Sequence, residues 1–538
     1  MNKLKFVIPF LLVFLYQCES NKQNNPLNIS KEESIRIATL CKVFGGLKYF
    51  TINTNIDRIY WDEILIENIT KYPEFYKNNA ELNVVVKNLF GTLKQNNFPV
   101  LNDSIPENVE IFDWIKKDVL IEPKLKQELQ KVLNTKHFVT NNIDFEVVND
   151  LPVFKSNYGL ESNQLPDLSL SMLGLFNYWN FINLFSPYKN TINGNWEDIL
   201  EQFIPIILCS KNETSYQTNY MKLFAKLNDG HAFARCKYSE SWNNNLYNNL
   251  IVSNNIIVDI IEPNNDLKIG DSLITINDLN IDSLSKNLKT LIPASNETYL
   301  NFRVQSYLFK NFTDSVFKFK FYRKNKLQNL LLNRSQLFTR KSEIVDDTTK
   351  WKILNKDIIY INCGNIEPKD LRSAFALMNN KDLKVILDLR KYPNHILVDS
   401  ICYFLNDFVK PYVLLKSINP QLPGSFLNLD VYSTIASLPK LYNLKKCVVL
   451  VNEGTMSHGE FSAMAYATLP NTIIMGSQTA GADGNLNTVN LPNNLTTNFS
   501  GLGVYYPNGT PTQCVGIKVD IVLDKKDFIT SAIEYLSK

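Results

Sequence analysis

From Trp351 onward, short apolar runs alternate with stretches of helical spacing, and this alternation constrains the fold more than any other feature of the chain. The runs are Ile358-Ile359-Tyr360-Ile361, Val385-Ile386-Leu387-Asp388-Leu389-Arg390 and Cys447–Val451; helical spacing follows near Leu371–Met378, Val398–Phe408 and from Ser457. Strand–helix repetition of this kind predicts an α/β domain with a largely parallel sheet, over 351–538. In such sheets the chemistry sits at the carboxyl ends of strands. The strand Cys447–Val451 ends in Asn452-Glu453-Gly454-Thr455-Met456, and a helix begins at Ser457 with Phe461, Met464 and Ala465 on one face.

Two readings of Ser457 stand at this point. A serine at a strand-to-helix turn is presented beside free backbone N–H groups and the positive end of the helix dipole, which suits an oxyanion forming next to its hydroxyl. Equally, Ser457-His458-Gly459-Glu460 matches a capping box, in which serine bonds forward and Glu460 bonds back.

A serine nucleophile needs a base. There are only four histidines, and neighbouring side chains on a helix diverge, so His458 is badly placed to serve Ser457. His137 lies in the amino-terminal part, His395 in a loop after Asp388-Leu389-Arg390, and His231 in the turn Leu227-Asn228-Asp229-Gly230-His231, where by spacing alone a histidine is more often merely exposed. No Lys or Arg occurs between Cys447 and Ile517, which excludes a lysine base downstream of the serine.

The rest of the chain divides by pattern. Residues 30–150 have mostly helical spacing, and a second helical block at 168–235 echoes the first: Trp61-Asp62-Glu63-Ile64-Leu65 against Trp196-Glu197-Asp198-Ile199-Leu200, each after an aromatic-rich helix. These aromatics read as core. Between 251 and 340 short β-like runs take over, including Ile269-Gly270-Asp271-Ser272-Leu273-Ile274-Thr275-Ile276-Asn277, which resembles the centre of a PDZ domain. Such a module could take a peptide strand on an open sheet edge.

Met1–Ser20 places Lys3 and Lys5 before an apolar run, Phe6–Tyr16, too short to span a bilayer but suited to a signal-peptide core. It stops at Leu15-Tyr16-Gln17-Cys18, which resembles a bacterial lipobox, so 1–17 reads as a lipoprotein signal peptide, Cys18 as the lipidation site and 18–29 as a tether. Acyl chains contributing roughly 0.8 kcal/mol per buried methylene would hold the chain on a membrane. The 56 basic and 53 acidic side chains are spread along the sequence, leaving no basic stripe for nucleic acid. The scattered cysteines have no metal-ligand spacing, and no cofactor or metal is expected.

Together these residues resemble the tail-specific, or carboxyl-terminal processing, serine peptidases, in particular the tricorn-like branch with bacterial lipoprotein members. The features that carry the likeness are, in order, the Asp229-Gly230-His231 turn, the PDZ-like segment, Ile386–Pro393, Val449–Phe461, Gly476-Ser477-Gln478-Thr479-Ala480-Gly481 with Pro507–Pro511, and Gly516–Ile521. The resemblance implies a multidomain α/β protein with a ClpP/crotonase-like catalytic domain, a PDZ-like β module and helical amino-terminal regions. It further implies Ser457 as nucleophile, His231 as general base, and oxyanion donors from the His458 backbone and the loop at Asn394. Polypeptide substrates in the bacterial cell envelope follow. Ala482 stands where the lysine-using branch has its base. Three positions depart from the pattern: Gly230 replaces the usual serine, Gln513 the expected carboxylate, and Tyr392-Pro393-Asn394 the usual Gly-Gly, so that Glu460 or Asp229 would have to support the imidazole. A non-catalytic peptide-binding lipoprotein and an esterase are the competing readings.

Overall fold

The computed structural model describes residues 28–50, 59–95, 112–133, 144–155, 164–240, 246–248, 250–253, 255–260, 266–310, 312, 314–340, 348–355, 357–377, 382–394, 397–406, 409–434, 442–523 and 527–538. The signal-peptide segment, Cys18, His137 and His395 lie outside them.

The carboxyl-terminal half is built on a six-stranded sheet in the order Trp351–Leu354, Ile358–Asn362, Leu383–Asp388, Leu444–Val451, Thr472–Gly476, Ile521–Val522. Only the first pair is antiparallel; all others run parallel, as strand–helix alternation demands. The inner strands are buried on both faces, and helices Leu397–Leu405 and His458–Tyr466 cover one side while Phe528–Ser537 covers the other. Two antiparallel elements had no counterpart in the predicted pattern. One is a three-stranded sheet of Phe426–Ser433, Pro411–Ile418 and Gly503–Tyr505; the other is the hairpin Leu486–Leu491 with Leu495–Ser500.

A separate antiparallel sheet runs Leu250–Ser253, Ile256–Ile260, Ser272–Ile276, Val316–Arg323, Lys326–Asn333, with helices Ile281–Leu291 and Glu297–Tyr307 between its third and fourth long strands. Asp271, in the Gly270-Asp271 turn, is buried against Arg323 at 2.7 Å, so this motif residue pins the sheet's turn to its neighbouring strand.

The two helical blocks share one apolar core. In each, a long buried helix (Lys31–Phe50, Leu168–Phe185) is followed by one beginning at the repeated tryptophan (Trp61–Lys71, Trp196–Leu208). The two long helices approach at Gly45, where an added Cβ would lie 1.9 Å from Asn180 Oδ1. Asn180 cannot swing away cheaply, because its buried Nδ2 donates to the Cys41 and Phe176 carbonyls. Gly45→Ala is therefore expected to cost about 1–3 kcal/mol by overpacking, against the helix-propensity gain alanine usually brings. Thermal denaturation should show a lowered Tm for Gly45→Ala and none for Gly91→Ala, whose Cβ would enter open space.

Candidate active site

The loop Asn452–Met456 delivers Ser457 to the carboxyl end of the central strand. Thr455 ties the loop down: its hydroxyl donates to Leu389 O at 3.1 Å and accepts the Asn452 N–H at 3.0 Å. Ser457 itself has φ 52° and ψ −125°, a conformation that costs a residue with a Cβ on the order of 1–3 kcal/mol. Its surroundings enforce it. The Ser457 N–H donates to Ala482 O at 2.7 Å, and its carbonyl accepts from Glu460 and Phe461 N–H at the start of helix His458–Tyr466. The side chain makes no capping bond, so the capping-box reading is replaced by a strained, presented serine like that of a nucleophile elbow.

Glu460 has another task than the one expected of it. One carboxylate oxygen accepts from the Thr479 hydroxyl and Gly481 N–H, the other from Ala482 N–H at 2.9 Å. It therefore holds the 479–482 segment, and with it the carbonyl that fixes Ser457, rather than supporting an imidazole. Burial pushes its pKa up to about 7 against the pull of these hydrogen bonds.

His231 sits on the other side of Ala482. A Cβ at Gly230 would lie 2.9 Å from Ala482 Cβ and 2.8 Å from Tyr299 Cε1. A serine side chain at 230 has no room, and neither would a long side chain at 482 leave room for this turn. Gly230 N–H donates instead to Ser295 Oγ at 2.7 Å, which supplies a hydroxyl from a different segment. Gln513 does not touch the imidazole: its Nε2 donates to Asn228 O at 3.0 Å and approaches Ser295 Oγ at 3.4 Å, bracing the turn from outside. Asn228, with φ 51°, makes the left-handed bend for which asparagine is suited.

The imidazole is supported by a pair of groups that converge from distant parts of the chain. His231 Nδ1 lies 2.9 Å from Ser500 Oγ, and Ser500 Oγ donates to Asp229 Oδ1 at 3.1 Å. Asp229 also accepts Ser500 N–H at 2.7 Å and His231 N–H at 2.9 Å, and all three residues are buried. The serine hydroxyl has one proton, spent on Asp229, so it accepts from His231 and fixes the tautomer with hydrogen on Nδ1. Nε2 is then the bare nitrogen that a general base requires. Burial lowers the His231 pKa, opposed by Asp229 and reinforced by Arg303, so the ring stays neutral at neutral pH. Ser457 Oγ and the imidazole share no hydrogen bond in this state; such bonds commonly tighten only with substrate in place.

Of the expected oxyanion donors, His458 opens the helix directly after Ser457, and its ring stacks near Phe461. Asn394 is corrected: its N–H donates to Cys363 O at 3.2 Å and is committed to the loop. Asp388 and Arg390 form a closed pair at 2.6 Å with Tyr360 on Asp388, so that motif is structural.

Residues 357–523 match peptidase family S41. The chain carries a serine-peptidase domain. Ser457, Ala482, Ser500 and Gln513 fall inside the matched segment, whereas Asp229, His231 and Ser295 fall outside it. Among solved structures, mature CPAF is similar at 11% identity over 69% of this chain and 96% of that one, with a TM-score of 0.50, a likeness of fold. The photosystem II D1 C-terminal processing protease covers 66% and 93% at 14% identity with a TM-score of 0.40, and the tricorn protease 76% and 39% at 10% identity with a TM-score of 0.33. No curated protein sequence matches the chain.

Ser500 and Ser295 were absent from the sequence reading. Ser500 ends a strand whose partner is reached through Asn493-Asn494, both at positive φ, which is the signature of a tight hairpin turn and the signal that could have located it. Removing the Ser500 hydroxyl leaves the imidazole without its Nδ1 partner. Ser500→Ala is expected to lower kcat roughly 10- to 100-fold, the usual worth of a hydrogen bond in a charged network, with KM unchanged in steady-state peptide hydrolysis.

Proposed function

We propose that this chain is a lipid-anchored endopeptidase of the bacterial cell envelope that cleaves exported polypeptides through an acyl-enzyme on Ser457. The observation that carries the reading is the strained Ser457 standing across Ala482 from a buried His231 whose Nδ1 is held by Ser500 and Asp229. Substrate would bind with its scissile carbonyl at the start of helix His458–Tyr466. His231 Nε2 would take the Ser457 proton as Oγ attacks, and the oxyanion would fall to the His458 backbone N–H and the helix dipole. His231 would return the proton to the leaving amine, and water would then repeat the sequence to free the acyl enzyme.

On this reading residues 351–538 form a ClpP/crotonase-like domain of the tricorn-like branch and 251–340 a PDZ-like module. Supporting the latter is a groove of about 330 Å³ between Val252 on the edge strand and helices Ile281–Leu291 and Glu297–Tyr307, where an extended peptide could add as a strand. The membrane attachment rests on Cys18 alone, since no described helix is long and apolar enough to cross a bilayer.

Incubation with an unfolded, reduced and alkylated protein tests the reading. The native chain should yield fragments and Ser457→Ala none. Peptide binding without fragments from either protein would make it a binding lipoprotein, and turnover of activated esters alone would make it an esterase.

A further inference from the structure

A buried donor with no acceptor stands behind the imidazole. Tyr178, on helix Leu168–Phe185, is fully buried, and its hydroxyl has no hydrogen-bond partner among the described residues. An orphaned hydroxyl in the interior gives up its bonds to water without replacement, a cost that phenylalanine in the same place would avoid. Packing holds the ring still: its centroid lies 4.9 Å from that of Phe224 and 6.4 Å from that of Trp196.

Helix geometry turns this tyrosine toward the hairpin that ends in Ser500. One turn earlier, a Cβ at Gly174 would stand 2.8 Å from Pro492 in the hairpin's turn. One turn later, Phe181 stacks on Phe154 at 3.7 Å, and Phe154 lies 6.4 Å from Phe499, the neighbour of Ser500. Residues 174, 178 and 181 share one helix face, so Tyr178 sits between two contacts to this hairpin. Phe224, against its ring, lies on helix Glu213–Ala225, which leads into the Asp229 turn.

Asp229 lacks what Tyr178 offers. Its carboxylate is buried, and among the described residues no lysine or arginine is within ion-pair distance of it. A carboxylate accepts about four hydrogen bonds. Oδ1 takes the His231 N–H and the Ser500 hydroxyl, whereas Oδ2 takes only the Ser500 N–H, so one position on Oδ2 is unspent. Burial and the nearby Asp229 charge raise the Tyr178 pKa well above its ordinary value, so the hydroxyl keeps its proton and lies within that carboxylate's field.

Resting on the serine-peptidase reading above, we propose that Tyr178 is a positioning residue for the His231 base: its hydroxyl donates through one water to Asp229 Oδ2 and fixes the carboxylate that holds Ser500 and the imidazole. Buried polar groups that do not touch are ordinarily joined in this way. The added donor also tempers the Asp229 charge, and with it the pull of that charge on a protonated imidazole. Arg303 opposes the same protonation from the other side, and neither group is altered by a change at 178.

A cycle of full-length variants tests this: Tyr178→Phe, Asp229→Asn, the two together, and Tyr216→Phe, which removes an equally buried hydroxyl that makes no bond to Asp229. In steady-state peptide hydrolysis Tyr178→Phe should lower kcat roughly 5- to 30-fold, the worth of one hydrogen bond to a charged group, with KM unchanged. The acid limb of its pH–rate profile should move up, because an untempered Asp229 favours the imidazolium more strongly. In the Asp229→Asn background the kcat loss should shrink to about 3-fold or less. The melting temperature should fall by roughly 1–3 °C with Tyr178→Phe alone and hardly at all when Asp229→Asn is already present. Unchanged kcat or melting temperature, an acid limb that stays or moves down, or an equal kcat loss in both backgrounds overturns the proposal. The same limb shift in Tyr216→Phe overturns it too. A native chain that cleaves nothing refutes the peptidase reading instead, and the melting temperatures then decide. A fall confined to the native background supports the bond to Asp229; no fall, or an equal one in both, overturns it.

Discussion

Replacing His231 by glutamine should lower the rate at which Ser457 is acylated by roughly 10⁶-fold, leaving the roughly 10³- to 10⁴-fold residual catalysis over water that an oxyanion site and substrate binding supply without a base. Glutamine can keep a hydrogen bond to Ser500 but offers no nitrogen that takes up a proton. Single-turnover kinetics should show the loss in acylation with little change in substrate affinity. The native enzyme should also lose activity as pH falls through the imidazole pKa, because only the neutral ring is a base. Burial lowers that pKa, so the acid limb should lie below the ordinary histidine range. Combining His231→Gln with Ser457→Ala should cost no more than Ser457→Ala alone, because the two act as a unit.

Asp229→Asn is expected to lower kcat by roughly 10²- to 10⁴-fold, the range spanned when the orienting carboxylate of a serine–histidine pair is lost. Among the described residues Asp229 is the sole carboxylate bonded to the Ser500 and His231 group, accepting from Ser500 Oγ, Ser500 N–H and His231 N–H. Asparagine keeps the shape and one acceptor but presents an amide donor where two donors already point. Ser500 would then have to rotate, and the Nδ1–H tautomer would lose its preference. The sign of a second effect follows from the charge. Asp229 raises the His231 pKa, so its neutralisation should move the acid limb of the pH–rate profile still lower. A rate loss accompanied by an upward shift, or by none, would assign Asp229 a purely structural part.

Much of the catalytic half was legible because its signals are local. Apolar runs with helices between them gave Ile358–Asn362, Leu383–Asp388 and Leu444–Val451 within a few residues, and the strand-to-helix turn pointed to Ser457. The role proposed for His231 was not local, and rested on the lack of any Lys or Arg between Cys447 and Ile517 and on the resemblance. Its support could not be read at all: Ser500 is 269 residues away and sits on a strand of Leu, Thr and Asn that resembles the chain's general asparagine-rich background. The departures at 230 and 513 looked like damage to a catalytic set. In the structure Ser295 fills the place beside Gly230, Gln513 braces the turn, and Asp229 brings a carboxylate to Ser500, which on the proposed reading makes the departures compensations. Glu460 misled for the opposite reason, because a carboxylate three residues after a serine fits a capping box as well as it fits its actual bonds to Thr479, Gly481 and Ala482.

The most direct test is the rate of labelling by a fluorophosphonate, read with peptide mass mapping of the modified residue. The account predicts that the native chain is modified at Ser457 at neutral pH, that Ser457→Ala is not, and that His231→Gln is labelled far more slowly. Labelling that is absent from the native chain, or that persists in Ser457→Ala, would contradict it.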